Sequence, residues 1–142
     1  MARSSDIDFS FEEKLEVSAV VHRLMSHGAS FLRDGRVTYV IDKEEMFDWQ
    51  SVPALELERV LAIADTESAD FSFGLAVFLD DRFTGGDLLF HPGHKTASFM
   101  VTINRKLLFG SQRFCDFGWY LNRLIPVFEE FNLTSFTASD YS

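Results

Sequence analysis

This 142-residue chain has one cysteine, Cys115. An internal disulfide is therefore excluded, and the stability must come from a packed core. No apolar run approaches the length needed to span a bilayer. Residues 1–10 lack the apolar stretch of a secretory signal, so a cytoplasmic protein is expected. Basic residues are few: 13 Lys and Arg stand against 22 Asp and Glu, for a net charge of −9. Direct binding to nucleic acid or to an anionic membrane is not expected; a basic protein partner is. There are no internal repeats or low-complexity tracts, and the length fits a single domain over residues 1–142.

Catalytic signatures are also missing. His91-Pro92-Gly93-His94 offers two imidazoles three residues apart, and Asp87 could add a carboxylate. A zinc site needs more ligands than this, and no other His or Cys cluster supplies them. No metal and no cofactor are expected. His94-Lys95-Thr96 resembles half of a two-copy phosphoesterase signature, but His22, His27 and His91 lack the following Ser or Thr. Gly85-Gly86 lacks the spacing and the Lys of a phosphate loop. Cys115 has no His nearby in sequence, which favours an apolar role over a nucleophilic one. No catalytic residue is assigned.

What the chain has is phenylalanine, 16 in all, and 46% hydrophobic residues. Residues 72–109 carry the clearest pattern. Phe73, Leu75, Val77 and Leu79 alternate with Ser72, Gly74 and Ala76 at the period of a half-buried strand. Residues 80–86 form a polar turn ending in Gly85-Gly86, residues 87–90 form a second short strand, and the His91–His94 turn follows. Phe99, Val101 and Ile103 then alternate along a third. This is a β-meander.

Ser10 and Glu13 fit a helix-capping box, with Val17, Val20, Val21 and Leu24 on one face, so a helix is expected over residues 11–27. Asp34-Gly35 between apolar segments predicts a hairpin, with Val37, Tyr39 and Ile41 sharing a face. Leu57, Val60, Leu61 and Ala64 predict a helix over residues 53–65. Asp116 can cap a third helix, whose stripe is Phe117, Tyr120, Leu121, Leu124 and Phe128 and which kinks or restarts near Pro126. Residues 1–9 and 132–142 read as loose termini. The expected fold is α+β, an antiparallel meander with flanking helices in the order α-β-β-α-β-β-β-α.

The charge is segregated. Residues 42–70 hold nine acids and two bases, whereas residues 82–123 carry an excess of four positive charges. Asp42, Glu44, Glu45 and Asp48 are interleaved with Phe47 and Trp49. Carboxylates steer a basic partner while aromatics supply desolvated contact area. Asp42, Glu44, Glu45, Asp48 and Trp49 are therefore the first candidates for a partner surface. The loop residues Asp80 and Asp81 are the next.

In length, acidity, meander and closing amphipathic helix over residues 116–131, the chain resembles the immunity proteins of bacterial toxin systems, including contact-dependent inhibition. The resemblance carries no motif and so assigns no residue. It implies a cytoplasmic inhibitor of one cognate toxin domain, often a nuclease with a basic cleft. Two other readings are open. One is a small enzyme or ligand-binding domain using Asp80, Asp81, His91 and His94. The other is a subunit of a larger assembly whose phenylalanines line an interface.

Overall fold

The computed structural model describes residues 3–43, 46–66 and 70–141. Seven strands form one antiparallel sheet: β1 (Ser4–Phe11), β2 (Arg36–Asp42), β3 (Gln50–Pro53), β4 (Ser72–Phe78), β5 (Gly85–Phe90), β6 (Thr96–Ile103) and β7 (Leu133–Tyr141). Their spatial order is β3-β2-β4-β5-β6-β1-β7. Three helices, α1 (Val17–Ser26), α2 (Leu57–Thr66) and α3 (Phe117–Phe128), complete the α+β fold. No described helix is long and apolar enough to cross a membrane.

All three helices serve one face. Val17, Val20, Val21 and Leu24 of α1 join Val60, Leu61 and Ala64 of α2 and Tyr120, Leu124 and Phe128 of α3 in a single core. The strands meet them with alternate residues: Ile7, Phe9 and Phe11 from β1, Phe73, Leu75 and Val77 from β4, and Ala97, Phe99 and Val101 from β6. Period-two alternation puts the intervening residues on the opposite face, where no described helix lies.

The meander forms where its alternation predicts. Gly85-Gly86, however, opens β5 instead of making the turn. The Asp34-Gly35 turn also forms. Both residues have positive φ, 55° and 74°, and Arg33 and Arg36 exchange both backbone hydrogen bonds at 3.0 Å. Its first arm does not run on as a strand. Ser30 instead bridges to Phe78, and β2 takes β3 and β4 as partners. Val37, Tyr39 and Ile41 share the core face as expected.

In the middle of the chain β3 (Gln50–Pro53) replaces the hairpin strand expected before Asp34, so that Pro53 closes a strand and α2 begins only at Leu57. The element order also differs from the expected one at both ends. Residues 4–11 are a strand, because Ser5, Ile7, Phe9 and Phe11 are buried in alternation with Asp6, Asp8 and Ser10. Ser10 is paired with Thr96 and Ser135 in the sheet, so the capping box does not form and α1 begins at Val17. After α3 the chain passes through Asn132, whose φ of 63° reverses it, and returns as β7 along β1. The Ser- and Thr-rich end is thus an edge strand. Asp116 caps α3 as expected, accepting from the Trp119 amide at 3.2 Å. The helix does not restart at Pro126 but runs on to Phe128, with Pro126 supplying no amide for the Asn122 carbonyl.

Asp140 fastens β7. Its carboxylate accepts from Arg3 Nε at 2.6 Å, Ser5 Oγ at 3.2 Å and the Cys115 amide at 2.7 Å. Arg105 lies 3.8 Å away and also donates to Ser5. Burial pushes the Asp140 carboxyl up, but the Cys115 amide, Arg3 and Ser5 outweigh it and hold the group below its ordinary value. A depressed folded-state pKa stabilises the fold above the unfolded value of about 3.9. That contribution disappears as pH falls through the lowered folded-state value. Asp140→Asn should therefore cost about 2–4 kcal/mol at pH 7. Urea titrations repeated at falling pH should show the gap to wild type closing only below about pH 4.

Candidate protein-binding face

The face without helices is read off strand register. One row crosses the sheet as Ala76, Asp87, Met100, Asp6 and Ser139. The next runs Val40, Gly74, Leu89, Ser98, Asp8 and Thr137. Asp6 and Asp87 thus flank Met100, about 10 Å apart across two strand spacings. The β6-β1-β7 half is almost entirely Ser, Thr and Asp. The open-face positions of β4, β5, β6, β1 and β7 hold no Lys or Arg. Arg33 and Arg36 stand at one corner, lining a depression with Asp87 and Phe78. Burial pushes the Asp87 carboxyl up, partly offset by a hydrogen bond from Thr102.

On the other half Trp49 lies over an apolar patch around Gly74. A Cβ on Gly74 would lie 2.9 Å from Trp49 Cη2, 3.0 Å from Val40 Cγ1 and 3.1 Å from Leu89 Cδ1. Trp49 is half-buried over this apolar ground and packs against the protein's own sheet. The apolar groups turned outward are its neighbours: Met46 is 75% exposed and Phe47 43%. Asp42 holds that loop. It is 9% exposed, and its Oδ1 accepts from the Phe47 amide at 3.1 Å, keeping Phe47 at a φ of 47°. Ile41, Asp42, Lys43, Met46, Phe47 and Asp48 line a depression of about 630 Å³. Asp48 is exposed and meets the Gln50 amide nitrogen at 3.3 Å. Glu44 and Glu45 lie outside the described residues.

Asp80 and Asp81 belong to a different corner. Asp42 pairs with Ser72 at the start of β4, whereas Asp80 follows its far end. A seven-residue strand separates the two groups by roughly 20 Å. Asp80 Oδ1 accepts from the amides of Arg82 and Thr84 at 3.0 and 2.9 Å and closes the β4–β5 loop, while Asp81 is exposed. Burial pushes the Asp80 carboxyl up, and these amides bring it below its ordinary value.

The histidines of the β5–β6 turn part ways. His94 is buried against Phe90, with ring centroids 6.1 Å apart. His91 reaches the open face, where its Nε2 lies 2.7 Å from Ser98 Oγ. Ser98 in turn donates to Asp8 Oδ1 at 2.5 Å. The single hydroxyl proton is committed to the carboxylate, so His91 Nε2 must be the donor in its own contact. A serine held this way is not activated for attack, since the imidazole has no free lone pair facing it. Cys115 is 3% exposed, and burial raises its thiol to about 11. It packs as an apolar residue. No group of three or more potential metal ligands occurs among the described residues. Asp6 and Asp8 escaped the sequence reading; their signal was the strict alternation of residues 4–11, which an assumed frayed end concealed. Asp87 was considered there only as a possible metal ligand, and its place on this face comes from the β4–β5–β6 register.

Comparison with known protein families, curated proteins and solved structures finds no match to this chain.

Proposed function

We propose that this chain is an immunity-type protein that binds and neutralises a basic toxin domain, such as a nuclease, in the cytoplasm. The observation that carries this reading is the open sheet face. It presents Asp6 and Asp8 on a strand that offers no cation in return, with Asp87 between them and the Arg33–Arg36 corner. Beside it Met46 and Phe47 stand as apolar anchors next to Asp48. A nuclease cleft is built to receive phosphates, and spaced carboxylates on a rigid sheet can occupy the same positions. The role of Trp49 in this reading is to support the loop from below. Asp80 and Asp81 would form a second contact only for a partner broad enough to reach across the sheet.

The enzyme reading is weaker because Ser98 spends its proton on Asp8. The test is a pull-down from the source organism with wild type and with the combined variant Asp6→Asn, Asp8→Asn, Asp48→Asn. A single dominant basic partner should be retained by wild type and at least ~10-fold depleted in the variant, as a loss of roughly 1.4 kcal/mol or more would give. Recovery of no protein partner, together with turnover of a small-molecule library, would defeat the proposal.

A further inference from the structure

The two edges of the sheet are finished differently. β3 is four residues long and ends in Pro53, which has no amide to donate. The Arg36 side chain occupies it further, donating to the Ser51 carbonyl at 2.9 Å and to Ser51 Oγ at 2.8 Å. β7 has no such protection. It runs nine residues, LTSFTASDY, and pairs only with β1. It contains no Pro and no Lys, and its single charge, Asp140, is taken up by Arg3. Its ladder to β1 is unbroken from Ser4↔Tyr141 to Ser10↔Ser135. Thr134 to Ala138 are all exposed, and Phe136 is 47% exposed beside a cleft formed with Ile125 and Leu133. A long, regular, uncharged edge is a template for another strand.

We propose that β7 pairs antiparallel with β7 of a second copy of this chain, about a two-fold axis through Thr137, joining the two sheets into one. This register overlaps the whole strand, and the strand is self-complementary in it. Thr137 meets its own counterpart, Phe136 meets Ala138, Ser135 meets Ser139, Thr134 meets Asp140 and Leu133 meets Tyr141. No like charges oppose each other. The two Phe136 rings lie diagonally across the axis on the helix side, within reach of one another. Hydroxyls pair on the open side. An isologous contact of this kind closes at two copies. The interface is narrow, so association depends on concentration. It leaves the acidic face uncovered and is independent of what that face binds.

Sedimentation of Thr137→Lys, Thr137→Glu and their mixture tests the axis directly. Residue 137 projects to the open side and is exposed, so neither change enters the core. Asp8 is its neighbour on β1, favouring the Lys variant and opposing the Glu variant, so the melting temperature of each is measured alongside. Wild type should show a monomer–dimer equilibrium. Each variant alone should dimerise at least ~10-fold more weakly, because like charges then meet at the axis. Mixing the two should restore association to within about 3-fold of wild type. Phe136→Ala should weaken it without lowering the melting temperature appreciably. A wild type that stays monomeric at the highest attainable concentration would overturn the proposal. So would variants that dimerise like wild type, or a mixture no stronger than either variant alone.

Discussion

Gly86→Ala should destabilise the protein by at least about 3 kcal/mol, placing it among the most damaging single substitutions available. A Cβ at this position would lie 1.9 Å from the Met100 carbonyl oxygen and 2.9 Å from its carbon. These are backbone atoms of the neighbouring strand and cannot swing aside. The register explains the crowding. Gly85 pairs with Ile103 and Asp87 with Met100, so β6 has one residue more than β5 across this step and bulges against Gly86. Gly85→Ala meets the same difficulty from the other side, 2.0 Å from the Val77 carbonyl oxygen. Gly118→Ala is the control. It lies in the first turn of α3 with nothing closer than 3.5 Å, so it should be neutral or stabilise by up to about 1 kcal/mol through helix propensity. Urea unfolding of the three variants checks the contrast. A Gly86→Ala protein within about 1 kcal/mol of wild type would mean that the β5–β6 bulge is wrongly placed.

Phe128→Ala should cost about 3–5 kcal/mol. Phe128 is 1% exposed and stands edge-on to two rings of β1, with centroids 4.7 Å from Phe9 and 5.5 Å from Phe11. It thereby joins the last helix to the first strand. Phe99→Ala should fall in the same range, since Phe99 is fully buried and packs on Tyr120 at 5.6 Å. Phe136→Ala, which removes a ring half in solvent, should cost less than about 1 kcal/mol in the monomer. Equal losses for Phe128 and Phe136 would contradict the assignment of the buried face.

The meander and the helices in the middle of the fold were legible because their signals were local, whereas the short strand β3 (Gln50–Pro53) depends on pairing with β2 and was not. Phe73, Leu75 and Val77 alternate within one segment, and Leu57, Val60, Leu61 and Ala64 repeat at helical spacing. Asp116 announces α3 from the adjacent residue. The two end strands were not legible in this way. β1 competes with a capping box at Ser10 and Glu13, and what decides between them is pairing with Thr96 and Ser135, far away in the chain. β7 is Ser- and Thr-rich and looks like a tail until Asp140 finds Arg3 and Ser5 at the opposite end of the sequence. The candidate site divides along the same line. Residues 42–49 could be seen in the sequence as an acidic and aromatic cluster, but not that Asp42 turns inward to hold Phe47. Asp6, Asp8 and Asp87 become neighbours only when β5, β6 and β1 align, which no short spacing in the sequence reveals.

An acidic sheet face that steers a basic partner onto this protein must make association depend on salt. The most direct measurement is the association rate with the dominant basic partner recovered in the pull-down, taken against ionic strength. Wild type should associate rapidly at low salt and slow steeply as salt rises, by roughly tenfold or more between low and physiological ionic strength. Asp6→Asn with Asp8→Asn should lower the low-salt rate and flatten the dependence, while the melting temperature changes little. Absence of binding, or a rate indifferent to both salt and these aspartates, would contradict the account.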